Sequence, residues 1–331
     1  MFGTAQARER AQVFGELASM VHAGLSIGES LTAVAEDMPA SRMQRALLSV
    51  GHEVSNGAAL GARMERRSDV FSPLTIAMVQ VGERGGRIEE ALRNIADYFE
   101  RDFRLRSLLK RELTYPIILL IALLFIPLAA RVIVVWISDT VLAAVLTGIS
   151  QLLTYLLVFG LPVLGAWLVI RSMRRSHEGR LRLDRLKLSI PIIGTLMRKL
   201  ALARFCRALA SLYSAGVMMS TSLRLAGEAS GNEVLKSEVA DGARSVEGGG
   251  SLSDALSGSS LMPGTVLRML KTGETTGEVD AMAHNVANHL EQEAETSIKQ
   301  MAVTITPVAV LIVGIIVAVM VIGFYTDLYS F

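Results

Sequence analysis

The pentapeptide GERGG at residues 82–86 returns as GETTG at residues 273–277. A glycine loop that cradles phosphate needs Lys-Ser or Lys-Thr directly after it; neither copy has one, and no GxxxxGK[ST] occurs elsewhere in the chain. The pentapeptide is instead one piece of a longer repeat. ELASMVHAGLSIGESL, Glu16 to Leu31, lies over ALASLYSAGVMMSTSL, Ala208 to Leu223, at an offset of 192, sharing Leu, Ala, Ser, Ala, Gly, Ser and Leu. After one residue is dropped the offset is 191, which sets Asn94 on Asn285, Ala96 on Ala287, Glu100 on Glu291 and Pro116 on Pro307.

Within the first copy, Val13, Phe14, Leu17, Met20 and Val21 recur at helical spacing and predict an amphipathic helix that stops near Gly24, where a residue without Cβ takes a left-handed cap. Ser26 and Glu29 have capping-box spacing and start a second helix. Ser41 with Gln44 starts a third, which ends by Asn56-Gly57, and a short fourth runs to about Arg67. Ser72-Pro73 opens a fifth with proline at the first helical position. Gly85-Gly86 then breaks the chain, and from Arg87 the pattern Ile88, Leu92, Ile95, Phe99, Phe103 is helical without interruption. No alternating strand pattern of useful length occurs. Each copy reads as a bundle of about six helices whose last continues into an apolar stretch, with a kink or local opening expected at Pro116 or Pro307. The glycines Gly24, Gly82, Gly86, Gly216, Gly273 and Gly277 are read as conformational, allowing the chain to reverse between helices.

The chain is 51% hydrophobic and 19% charged, with mean hydropathy +0.43, too apolar for an ordinary soluble protein of 331 residues. Leu113 to Ala130, Thr140 to Ile170 and Met301 to Thr326 carry no charge, and each is long enough for a helix that crosses about 30 Å of hydrocarbon. Arg101, Arg104, Arg106, Lys110 and Arg111 precede the first stretch, and Arg171, Arg174, Arg175, Arg180, Arg182, Arg185 and Lys187 follow the second. Between them only Arg131 is basic, and it marks the outer end of the first span, where it snorkels to the headgroups. The expected fold class is an all-α integral membrane protein with two homologous cytoplasmic helical bundles of about six helices each and three transmembrane helices. Its expected order is bundle 1–111, span 112–135, a short periplasmic or interfacial segment 136–150, span 151–171, bundle 172–300 with a basic linker over 172–199, span 301–326 and a periplasmic tail 327–331. The N-terminus is expected in the cytoplasm and the C-terminus outside, with no cleavable signal peptide.

Little catalytic chemistry is encoded. His284 and His289 are five apart, about 140° around a helix, and share no face as paired metal ligands should. No HExxH or GxSxG occurs, and the single Cys206 lies between Phe205 and Leu209 as a small buried hydrophobe. Residues 12–100 and 200–300 each carry 12 acidic and 8 basic residues, which argues against nucleic acid as a partner. Arg63, Arg66 and Arg67 align with Ala255, Gly258 and Ser259, so the copies offer different faces; these arginines, with Arg84, Arg87, Glu274 and Thr275, are candidate partner contacts. A transporter is disfavoured, because no acidic residue lies inside a span and both bundles are expected on one side of the membrane. A membrane-anchored adaptor stands as the alternative.

The strings GLSIGESL and VGERGGRIEEALRNIADYF in the first copy, and LYSAGVMMSTSL and KTGETTGEVDAMAHNVANHL in the second, in the order bundle, span, span, bundle, span, resemble the GspF/PilC family. These are inner-membrane platform proteins of type II secretion systems and type IV pili. With its first bundle beginning almost at Met1, the chain is similar to the compact members found with type IVb and conjugative pili. The resemblance implies a non-catalytic, homo-oligomeric protein of the bacterial inner membrane. Its implied partners are a cytoplasmic hexameric ATPase, the transmembrane helices of pilins or pseudopilins, other inner-membrane assembly proteins and lipid. It implies no cofactor, but makes Glu83 and Glu274 candidate calcium ligands. The competing reading is that each glutamate caps the N-terminus of the long helix that follows it.

Overall fold

Ser26 accepts a hydrogen bond from the backbone N–H of Glu29, while the Glu29 carboxylate accepts from the Ser26 N–H; this reciprocal box starts the second helix of the chain at Ile27. In the computed structural model, which describes residues 4–138, 161–173, 176–190 and 193–329, the described residues fold into helices joined by turns. The first copy supplies α1 (Thr4–His22), α2 (Ile27–Glu36), α3 (Arg42–Ser55), α4 (Leu60–Arg66), α5 (Pro73–Arg84) and α6 (Ile88–Ser138). Helices α7 (Leu161–Met173) and α8 (His177–Ser189) follow. The second copy supplies α9 (Ile193–Ser214), α10 (Met219–Ala229), α11 (Glu233–Glu247), α12 (Leu252–Ser257), α13 (Gly264–Thr276) and α14 (Val279–Tyr329).

The caps fall where the sequence sets them. Ser41 accepts from the N–H of Gln44, whose side chain turns back to the carbonyls of Ala35 and Met38; Ser72 accepts from the N–H of Thr75 ahead of Pro73. The repeat also holds in the backbone: Gly24 and Gly216 have φ of 93° and 86°, Gly86 and Gly277 have 66° and 79°. Only glycine takes such angles without strain. Residues 172–199, expected as a basic linker, are largely helical, being the end of α7, α8 and the start of α9.

The chain divides into two compact units, Met1–Ser107 with Lys187–Glu295, and Leu108–Leu186 with Thr296–Phe331. The first unit contains both bundles. Its cores are built from Phe14, Leu17, Leu47, Leu60, Met78 and Ile95 in one copy and Phe205, Leu209, Leu212 and Leu223 in the other, all below 2% exposure. Phe14 stacks on Phe99 at 6.0 Å between centroids and ties α1 to α6. The second unit holds α7, most of α8 and the distal parts of α6 and α14, each of which is a single helix of 51 residues. Pro116 and Pro307 both lie inside these helices without interrupting them.

Among the described residues no helix is long and apolar enough to cross a membrane, so the spans 112–135, 151–171 and 301–326 rest on the sequence. Residues 139–150 of the expected outer segment and 151–160 of the expected second span lie outside the described residues.

Two of the glycines read as conformational act differently. Gly82 and Gly273 sit inside α5 and α13, and a Cβ at Gly82 would stand 2.5 Å from the Ala91 Cβ on α6, while one at Gly273 would stand 2.9 Å from the Met282 Cβ on α14. Their role is to let the two helices approach. Gly82→Ala is therefore expected to lower the thermal midpoint of the full chain by an amount matching about 1–3 kcal/mol, through displacement of α6 from α5. Unchanged thermal unfolding in detergent would refute close approach as the reason for Gly82.

Candidate functional site

The matched glycine corner places Glu83 and Glu274 one residue after the two packing glycines, on the last turns of α5 and α13. Neither caps the helix that follows. Glu83 accepts from the backbone N–H of Leu60 at 2.6 Å and of Gly61 at 3.0 Å, which are the first two donors of α4. Ala59, at the N-cap of α4, makes no side-chain cap of its own. Glu274 accepts from the N–H of Leu252 at 2.5 Å and of Ser253 at 3.2 Å, and from the Ser251 hydroxyl at 2.7 Å, at the start of α12. The long helices receive their first-turn acids from Glu89, Glu90 and Asp280 instead. The expected cap is thus corrected: each glutamate reaches back to the short helix before its own, because α4 and α12 have seven and six residues and most of their N–H groups have no partner within the helix.

These bonds bear on the expectation of calcium at the two glutamates. Among the described residues no three His, Cys, Asp or Glu side chains converge as metal ligands, and the oxygens of both glutamates accept from N–H or O–H donors. The donor set does not fit calcium. Burial pushes the Glu274 carboxyl up, but the N–H groups of Leu252 and Ser253 and the Ser251 hydroxyl more than offset it and hold the group below its ordinary value of 4.5.

Around the corner, Arg84, Arg87 and Thr275 are exposed. Arg87 lies 3.7 Å from Glu90, and the Thr275 hydroxyl donates to the Lys271 carbonyl at 2.8 Å. The α4 arginines behave unequally. Arg63 is drawn to Glu53 at 2.7 Å and half-buried, Arg67 lies 3.3 Å from Asp69, and Arg66 is exposed. Glu83 and the Gln80–Glu65 bond of 3.2 Å fasten α4 to α5, so both sets belong to one end of the first bundle.

A cluster absent from the sequence reading joins the bundles. Arg207, on α9, is 3% exposed and bonds both Glu291 oxygens at 2.9 Å, Asn288 at 2.5 Å and His284 Nδ1 at 3.0 Å. From the first bundle, Arg101 donates to Asn288 at 3.3 Å, and Asp102 lies 3.3 Å from Arg204. His284, Asn288 and Glu291 stand at i, i+4 and i+7 on α14, and that spacing of polar side chains on one face is the signal the sequence offers. Burial, then Arg207 and Arg101, lower the His284 pKa below its ordinary 6.5, while Asp280 and Glu291 oppose them. His284 is therefore a neutral acceptor for Arg207, and His289 pairs separately with Glu293 at 3.0 Å. Burial raises the Cys206 thiol to about 12, leaving it unreactive.

A family model described as type II secretion system, protein F, matches the chain twice, over residues 14–136 and 205–326. Type II secretion system protein F of Pseudomonas aeruginosa is 30% identical over 98% of this chain and 83% of its own length. Type IV pilus assembly protein TapC of Aeromonas hydrophila is 26% identical over 95% of this chain and 79% of its own, and type IV pilus assembly protein PilC of Pseudomonas aeruginosa is 26% identical over 95% and 87%.

Glu83→Gln and Glu274→Gln are each expected to cost about 1–2 kcal/mol at pH 7, measured by thermal unfolding of the full chain, because an amide oxygen is a weaker acceptor for a helix start than a carboxylate. With its folded pKa depressed, Glu274 contributes stability above pH 4.5 that is lost as pH falls through the folded value, so the Gln variant should lose less on acidification through that range. His284 carries the same sign in a higher window. Its contribution is present above pH 6.5 and lost on protonation, so the wild type should destabilise between pH 7.5 and about 5.5 more than His284→Gln does. Parallel pH profiles for the two proteins would remove His284 from this role.

Proposed function

The chain belongs to the type II secretion system protein F family, and from that premise we propose that it is the non-catalytic inner-membrane platform of a type IV pilus or type II secretion assembly. In this reading it spans the membrane three times with the N-terminus and both bundles in the cytoplasm, binds a hexameric assembly ATPase, and presents its spans to the transmembrane helix of a pilin or pseudopilin. Other assembly proteins of the inner membrane and further copies of itself complete its surroundings.

The observation that carries the proposal is the construction of the glycine corner. One end of each bundle is fixed to the first turns of a 51-residue helix, so a torque applied to the corner acts on that helix. Exposed Arg84, Arg87 and Arg66 offer cationic contacts on the first bundle, and Thr275 a neutral one on the second. The motor is assigned to the first bundle, because its corner and α4 carry arginines where the second copy has Thr275, Glu278, Ala255, Gly258 and Ser259. Pro116 and Pro307 lack the N–H that would bond one turn back, and they supply the points at which the long helices yield.

Photo-cross-linking in cells from probes at Arg84, Arg66 and Thr275 tests this. The expected result is an ATPase adduct from Arg84 and Arg66 that depends on an intact nucleotide site in the ATPase, with Pro116→Ala or Pro307→Ala expressed normally but altered in assembly. No adduct from any position, with the protein abundant and folded, would favour the adaptor reading.

A further inference from the structure

Inside the first unit the two bundles touch in an apolar place and in a polar one. Helix α5 packs on α9 and α10, where a Cβ built at Gly216 would come within 3.4 Å of Val81 and 3.5 Å of Arg87. The polar contact converges on two consecutive residues of α6. Arg101 donates to the Asn288 side-chain oxygen at 3.3 Å and lies 3.8 Å from Glu291, and Asp102 lies 3.3 Å from Arg204. Asn288 and Glu291 are the same two groups that Arg207 holds from within the second bundle. One amide and one carboxylate thus serve two guanidinium groups, that of Arg207 buried and that of Arg101 44% exposed.

His284 completes this face of α14. Its Nδ1 stands 3.0 Å from Arg207 Nη1 and accepts from it only while the ring is neutral. Glutamine would offer an acceptor at every pH; histidine withdraws one on protonation. The charged groups acting on the ring are Arg207 from α9, Arg101 from α6, and Asp280 and Glu291 on its own helix. With the ring protonated, three cations face two carboxylates, and two N–H donors point at each other across the Arg207–His284 contact. Arg207 is 3% exposed and has no route to solvent, and His284 is fixed to α14. Arg101, more exposed and held by the longest bonds, is the cation able to leave. Its departure leaves Asp102 and Arg204, which are 3.3 Å apart without forming a hydrogen bond between them.

We propose that this cluster is a proton-operated latch between the bundles, shut while His284 is neutral and opened when its protonation expels Arg101. The bundles then part where α6 meets α14, hinged on the α5 contact, while each keeps its own core. Burial first, and then Arg207 and Arg101, hold the ring below its ordinary 6.5 in the shut latch; exposed to water in the open one, it returns to that value. The shut form is therefore favoured above pH 6.5 and loses ground as pH falls from there toward the lower value. One bound proton limits the change in the shut-to-open ratio to about tenfold per pH unit. Arg101 and Glu291 stand within two turns of Ser107 and Glu295, where α6 and α14 leave the first unit, so the latch decides whether the two long helices start from a common base. It rests on contacts within this chain and on no contact with an ATPase, so it and the proposed function can fail separately.

The test is a distance measured by pulsed electron resonance in the full chain, spin-labelled at Ser107→Cys on α6 and Asn285→Cys on α14; the buried native Cys206 does not label. One distance is expected at about pH 7.5, and a second, longer one should grow in as pH falls to about 5.5, with helix content unchanged. His284→Gln should keep the first distance at both pH values. His284→Lys, with a permanent charge, should show the longer one already at about pH 7.5, and His289→Gln should behave as the parent. The proposal is overturned if the labelled parent shows no second distance, if His284→Gln shows it equally, or if His289→Gln abolishes it. Loss of helix content together with the new distance would mean unfolding rather than parting, and would overturn it too.

Discussion

A helix of six or seven residues has too few internal hydrogen bonds to stand alone in water, yet each bundle contains one. What keeps α4 and α12 in place is a carboxylate borrowed from the next helix, accepting the first backbone donors that nothing else reaches. The same five residues let α5 approach α6 at Gly82 and turn the chain at Gly86. Cap, contact and reversal are thus compressed into GERGG, and again into GETTG. Three constraints on so short a stretch explain why it stands out between copies that otherwise share scattered small residues.

Divergence is concentrated where the copies face different surroundings. Helix α9 is buried on nearly all sides, and of its basic residues Arg198, Lys199, Arg204 and Arg207 the last is the buried one, tolerated because every side of its fork finds an acceptor. At the matching place α1 has Gly15, and Glu100 turns outward to Arg104.

Helices, caps and turns were legible because their signals are local: serine or proline at starts, glycine where φ must be positive, apolar spacing between. The target of Glu83 was not, since the donors it satisfies lie more than twenty residues earlier and only the fold brings them near. Gly82 was misread for a related reason. A glycine needed for helix approach and one needed for a left-handed turn look alike in sequence, and the distance to Ala91 tells them apart. The Arg207 cluster was not legible, because nothing local separates Arg207 from Arg198, Lys199 and Arg204 on the same helix until its partners on α14 are seen. The family was legible nearly end to end, since the repeat, the uncharged stretches and the charge flanks all agree.

The order in which the chain is made meets the division of the first compact unit. Its two pieces are separated by Leu108–Leu186, about 80 residues, so at about 5–20 residues per second the first bundle waits roughly 4–16 s for the partner that covers its α5 face. During that interval a surface meant for α9 and α10 is open to solvent and to other nascent chains. The exposed polar residues of α1, Arg8, Glu16 and Ser19, need no partner, leaving α5 as the surface that a chaperone or a misplaced neighbour would find first.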